Sequence, residues 1–127
     1  MKRETAKWVR KAEEDWVAAQ ELAGRKPPLR DQACFLCQQA AEKYLKALLQ
    51  ESGVVVPKTH NLKDVLNLLV PHDATLISLR RTLQSLTQYA VDYRYPGFRA
   101  TTRQMKAALR HTERVRGEAR SRLGLPF

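Results

Sequence analysis

No apolar run in this sequence exceeds a few residues, so nothing supplies the roughly 20 apolar residues of a membrane-spanning helix. The opening stretch MKRETAKWVRKAEED alternates charge and has no apolar block, which is not the pattern of a secretory leader. Glycine is scarce, at 5 in 127 residues, and the five are scattered. That excludes a glycine-rich phosphate loop. There is no Gly-x-Ser-x-Gly and no His-Glu-x-x-His. The two cysteines are too few for a disulfide framework and suit a reducing compartment. A cytoplasmic protein with no membrane association is expected.

Acidic residues are also short, 13 against 23 lysines and arginines, for a formal charge of +10. Such a balance favours polyanionic or acidic partners. The excess gathers late. Arg94, Arg99, Arg103, Lys106, Arg110, Arg114, Arg116, Arg120 and Arg122 face only Glu113 and Glu118. A solvated arginine-rich face and a docking surface for an acidic protein remain equally good readings.

What the chain does have is helical periodicity. On a wheel of about 100° per residue, Ala33, Cys34, Leu36, Cys37, Ala40, Ala41, Tyr44, Leu45, Ala47 and Leu48 fill one arc of roughly half the circumference. An ordinary surface helix has a stripe of about 100°. Ala33–Leu49 is therefore the central helix of a bundle. Phe35 and Leu49 intrude on its polar side and suggest a further contact there, such as a second subunit. Cys34 and Cys37 lie on the apolar arc without further cysteines, so core packing outranks zinc or redox chemistry, and no metal site is expected.

Helix one spans about Glu4–Ala23, with Gly24 as its stop. Asp15 falls in the middle of its apolar face. A carboxylate there costs several kcal/mol unless paired. It is expected to meet a cation, from near the end of the fourth helix, either as a register-fixing ion pair or as part of a polar site. Pro27-Pro28 starts helix two, about Leu29–Ser52, capped by Gly53. Asn61 caps a short helix with Asp64 three residues on, and Pro71 ends it. Asp73 caps a fourth helix with Leu76, Leu79, Leu83, Leu86, Ala90 and Tyr93 inward, closed by Pro96-Gly97. Thr101-x-x-Gln104 is a capping box for the last helix, which reaches about Leu123. The expected fold is all-α: one domain over residues 1–127, an up-and-down bundle of four long helices plus one short helix.

Among the polar residues, His60 precedes a helix, where local capping is its plain role. In Tyr93-Arg94-Tyr95-Pro96-Gly97, proline pins Arg94 at a helix terminus. A guanidinium flanked by tyrosines binds phosphate while a base stacks on a ring. The competing role for Arg94 is to pair with Asp15, with the tyrosines in the core.

Three segments carry a resemblance: Phe35-x-x-Gln38-Gln39-Ala40-Ala41-Glu42-Lys43-Tyr44-Leu45-Lys46-Ala47, then Pro57-Lys58-Thr59-His60-Asn61-Leu62, then Arg94-Tyr95-Pro96-Gly97. In this order, with Asp15 between Trp8 and Ala19, the chain resembles the HEPN domain family over essentially its whole length. The resemblance implies a helical bundle, usually dimeric. Stand-alone prokaryotic members are often encoded beside a minimal nucleotidyltransferase and proposed to form toxin–antitoxin pairs. Nucleotide binding was proposed for the family, and many members are metal-independent ribonucleases with an Arg-x4–6-His motif at the dimer interface. This sequence departs from that motif: seven residues separate Arg103 from His111, and Arg110 abuts it. Eight helical steps turn the pair by about 80°.

The reading is a HEPN-like homodimer or higher oligomer, without cofactor, that pairs with a nucleotidyltransferase subunit and binds nucleotide or RNA. Asp15, Lys43, His60, Arg94 and Tyr95 form its expected nucleotide-binding or polar cluster. A ribonuclease toxin using His60 or His111 as general acid/base, and a non-catalytic adaptor, are the alternatives.

Overall fold

The computed structural model describes residues 1–126 and contains helices and loops, with no strand among them. The elements are α1 (Arg3–Gly24), α2 (Arg30–Glu51), α3 (Leu62–Leu69), a 3-10 turn (Ala74–Leu79), α4 (Arg80–Thr87), α5 (Tyr89–Asp92) and α6 (Thr102–Arg122). This is the all-α bundle that the periodicity calls for. No helix among the described residues is long and apolar enough to cross a membrane.

α2 is the axis of the molecule, and every other α-helix packs against it. Its alanines, Ala33, Ala40, Ala41 and Ala47, are fully buried, as are Cys34, Cys37, Tyr44, Leu45 and Leu49. Small side chains let neighbouring helices approach closely. The helix is covered nearly all round, and by its own chain. Leu49 is 0% exposed. Phe35 stacks on Tyr93 with ring centroids 3.9 Å apart. Leu49 thus finds its contact within the chain, while Phe35 is met by Tyr93 and stays half-buried.

α1 runs antiparallel to α2, pairing Glu13 with Tyr44, Asp15 with Lys43 and Thr5 with Glu51. Gly53 ends α2 with φ of +76°, and the Val54 N–H reaches back to the Leu49 carbonyl at 3.0 Å. This left-handed cap favours glycine. The non-helical segment from Val54 onward then retraces α2, as the Gln38 and Glu42 contacts to His60 show. Asn61 caps α3 through its side chain, which accepts from the Lys63 and Asp64 N–H groups at 2.9 and 3.4 Å. α6 starts on the complete capping box of Thr101 and Gln104. Its Thr112 hydroxyl donates to the Ala108 carbonyl at 2.8 Å and lies 3.2 Å from that of Cys37, against α2.

The fourth helix is not one rod. Asp73 caps a 3-10 turn, accepting from the Thr75 N–H at 3.1 Å. A single-residue break at Gln88 then separates α4 from α5, though Gln88 stays right-handed helical (φ −58°, ψ −32°). Side chains compete for the backbone here: the Ser85 hydroxyl donates to the Arg81 carbonyl and the Gln88 amide to that of Ser85. The apolar spacing survives, because Leu76, Leu79, Leu83 and Leu86 are all buried.

Candidate functional site

Three charged regions emerge: one sealed, one tying α1, α2 and α6, and one open. The sealed region lies on the side of α2 that the wheel marks as polar. The Glu42 carboxylate is 4% exposed and the Lys46 ammonium one turn on is 5% exposed, 3.0 Å apart. Gln38 adds its amide at 3.2 Å, and the Lys46 ammonium lies 5.8 Å from the centre of the Trp8 ring. A buried carboxylate needs this much company, since an unpaired one is strongly disfavoured.

His60 joins the network from the retracing segment. Its Nδ1 is 3.0 Å from Glu42 Oε1. The Gln38 amide also donates to the His60 carbonyl at 3.1 Å. Backbone and ring are both held, while the side chain stays 63% exposed. A carboxylate at this distance accepts from Nδ1–H and so fixes the orientation of the ring. Asn61 caps α3, as its spacing to Asp64 predicts, and the capping role also open to His60 is not taken by it.

Asp15 corrects a second expectation. Its partner is Lys43 of α2, at 2.5 Å, and the two side chains are 18% and 23% exposed. Arg94 does not reach it and is exposed. The reason is geometric: Asp15 faces α2 across the antiparallel α1–α2 hairpin, whereas Arg94 follows α5. The structure thus joins Asp15 to Lys43, and sets His60 on Glu42, Lys43's neighbour in sequence. Arg94 and Tyr95 contact none of these. Tyr93 stacks on Phe35, seven residues before Glu42 on α2, about 10 Å along the axis.

A third network ties α1, α2 and α6. The Arg116 guanidinium donates to both Glu13 oxygens at 2.7 and 2.8 Å, Arg120 lies 3.4 Å away, and the Tyr44 hydroxyl donates to the same carboxylate. Arg116 holds the Glu13 carboxyl below its usual range. Burial, with Glu13 beside it, pushes Tyr44 up to about 12. Burial likewise pushes Cys34 up to about 12 and Cys37 to about 11, so both thiols are packing groups. Among the described residues no group of three or more His, Cys, Asp or Glu side chains is placed to hold a metal ion.

The open region is the loop before α6 and the first turns of that helix. Tyr93 on Phe35 and Phe98 on Tyr89 (centroids 6.0 Å apart) anchor the loop. Ala100 donates to Asp31 Oδ1 and accepts from Arg30 Nε, both at 2.7 Å. Between these anchors Arg94, Tyr95 and Arg99 stand exposed, Tyr95 at 61%. Arg103, Lys106 and Arg110 follow, all exposed, within about 60° on one face of α6. The side-chain ion pairs of the described residues use other cations, namely Lys7, Lys43, Lys46, His60, Arg116, Arg120 and Arg122. Five cations are therefore gathered here without a carboxylate partner among the described residues.

Arg103 and His111 share α6 but stand about 12 Å apart along its axis, too far to act together within one chain. His111 is held below its usual pKa by burial and by Arg110 and Arg114. Sequence reasoning passed over Glu42, Lys46 and Glu13. The available signals were a Glu–Lys pair at i, i+4 on a helix with little solvent-facing surface, and a glutamate two residues before Asp15.

Comparisons with known proteins agree with this architecture. The HEPN domain profile matches residues 5–122. A similar solved structure is TT1696 from Thermus thermophilus, at 27% identity and a TM-score of 0.79, covering 95% of this chain and 98% of that one. Another is ST0689, described as an archaeal HEPN homologue, at 24% identity and 0.73, covering 96% and 98%. No curated protein matches the chain. A profile match over nearly the whole chain, on a bundle of the same shape, makes this protein a member of the HEPN domain family.

Proposed function

We propose that this HEPN protein is one half of a two-gene, toxin–antitoxin-type pair with a minimal nucleotidyltransferase, acts as a homodimer, and binds RNA or a nucleotide through the head of α6. The observation that carries the binding claim is the set of five exposed cations, Arg94, Arg99, Arg103, Lys106 and Arg110, that form no ion pair with a carboxylate of the described residues. Beside them Tyr95 offers an exposed ring to a base. Asp15, Lys43 and His60, the other members of the expected cluster, lie along α2 out of contact with Arg94 and Tyr95 and enter this reading as a separate polar patch. The partner and the dimer rest on family membership, and co-purification with tagged protein and sedimentation velocity test them. Fluorescence anisotropy with a labelled single-stranded RNA tests the binding. Affinity should fall steeply with salt, because neutralised phosphates release counterions. A folded protein that binds no RNA and no nucleotide at low salt would overturn this reading.

One observation favours a second reading, metal-independent RNA cleavage. An exposed imidazole oriented by a buried carboxylate is the base-and-orienter unit that such chemistry uses. Cleavage by pure protein in chelator, lost in His60→Ala and kept in His111→Ala, would establish it. Intact RNA after long incubation would remove it.

A further inference from the structure

A cleft of about 390 Å³ opens between the first turn of α3 and α4, lined by Asn61, Lys63, Leu66, Arg80, Leu83, Gln84 and Thr87. It plays no part in the function proposed above. Arg114 bonds to Thr82 and to the Ser78 carbonyl on the α6 side of this stretch. Arg80, Leu83, Gln84 and Thr87 lie on the other side of α4 by the wheel. α4 therefore separates the cleft from the cations of α6.

The floor and rim differ in chemistry. Leu66 and Leu83, each 1% exposed, make an apolar floor. Lys63 and Arg80 are exposed cations on opposite walls, and the ion pairs of the described residues use neither. Gln84 and Thr87 add an amide and a hydroxyl. The walls are fixed before any ligand arrives: the Leu62 N–H donates to Thr87 Oγ1 at 3.3 Å, and Asn61 caps the first turn of α3. The volume lies within the range of small-molecule sites, which combine an apolar body with a few convergent polar groups.

We propose that this cleft binds a small organic phosphate, with the phosphoryl group between Lys63 and Arg80 and a flat apolar body on Leu66 and Leu83. No carboxylate lines the cleft, so an anion meets no like charge there. Two cations on separate helices suit a dianion with three acceptor oxygens better than a carboxylate, and the Arg80 guanidinium can hold two of those oxygens at once. The apolar floor distinguishes such a ligand from bare phosphate.

Phenyl phosphate is the minimal probe, titrated into 15N-labelled full-length protein. The amides of Lys63, Leu66, Arg80, Leu83 and Gln84 should shift together and saturate. Inorganic phosphate and phenol, each lacking one half of the ligand, should bind at least about tenfold more weakly, a loss of about 1.4 kcal/mol apiece. Lys63→Ala and Arg80→Ala should each weaken phenyl phosphate by a similar factor. Gln84→Trp, at an exposed rim position, should plug the cleft while the spectrum stays folded. RNA affinity should be unchanged in all three variants, whereas replacing Arg103 and Arg110 should lower RNA affinity and leave phenyl phosphate binding intact. The proposal fails if the cleft amides do not respond, if inorganic phosphate binds as well as phenyl phosphate, or if neither cation matters. The RNA reading fails on its own, through the α6 variants.

Discussion

Charge is handled in opposite ways on the two sides of this bundle. Along α2, Glu42 and Lys46 are covered, paired and about 5% exposed. At the head of α6, Arg94, Arg99, Arg103, Lys106 and Arg110 are exposed and, among the described residues, paired with no carboxylate. A covered pair offers a ligand nothing and resists removal of either member, because the survivor is a buried charge. An exposed, unpaired cation does the reverse: its loss hardly disturbs the fold and its field reaches outward. Removing members of each set should separate stability from binding.

The largest effect belongs to Glu42→Ala, which strands the Lys46 ammonium. It should cost about 3–5 kcal/mol in urea unfolding. The double change Glu42→Leu with Lys46→Met should recover most of that, since a matched apolar pair replaces a matched charged one. If Glu42→Ala costs less than about 1 kcal/mol, the covered side is not what holds its register.

Glu13→Gln comes next, at about 1 kcal/mol, because the pair with Arg116 is partly exposed and screened. Its sign with pH is fixed by Arg116, which holds the folded carboxyl below its ordinary value of 4.5. The contribution is complete above the unfolded value and disappears as pH falls through the lowered folded one. Wild-type stability should therefore drop below about pH 4.5 more steeply than that of the variant, as thermal melts across acid pH would show. Asp15→Asn should cost less again, about 0.5–1 kcal/mol, since the Lys43 pair is also partly exposed.

Single changes at Arg103 or Arg110 should leave the melting point nearly where it was, within about 0.5 kcal/mol of stability. Each should instead flatten the salt dependence of single-stranded RNA binding by about 0.7 in slope. A large loss of stability here would mean that these side chains are structural after all.

Much of the fold was legible because helix signals are local. The arc of Ala33–Leu49, the Gly53 cap and the Thr101–Gln104 box all appear where the spacing puts them. The fourth helix was less so: it starts as a 3-10 turn on the Asp73 cap, and near its break at Gln88 side chains compete for backbone carbonyls. The polar residues were half legible. A wheel shows that Asp15 faces inward but not which helix meets it, and Lys43 won over Arg94 through the antiparallel pairing of α1 with α2. Likewise His60 could be seen beside a helix start, but its bond to Glu42 needs the segment after Gly53 to fold back along α2.

The most direct measurement is the salt dependence of single-stranded RNA binding, for the wild type and for a variant with Arg94, Arg99, Arg103, Lys106 and Arg110 all replaced by serine. If all five cations meet phosphates, log affinity against log salt should have a slope of about −3.5 in the wild type and be nearly flat in the variant. Both proteins should melt at the same temperature. Equal slopes, or a variant that unfolds, would contradict the division of labour between the covered and the open charges.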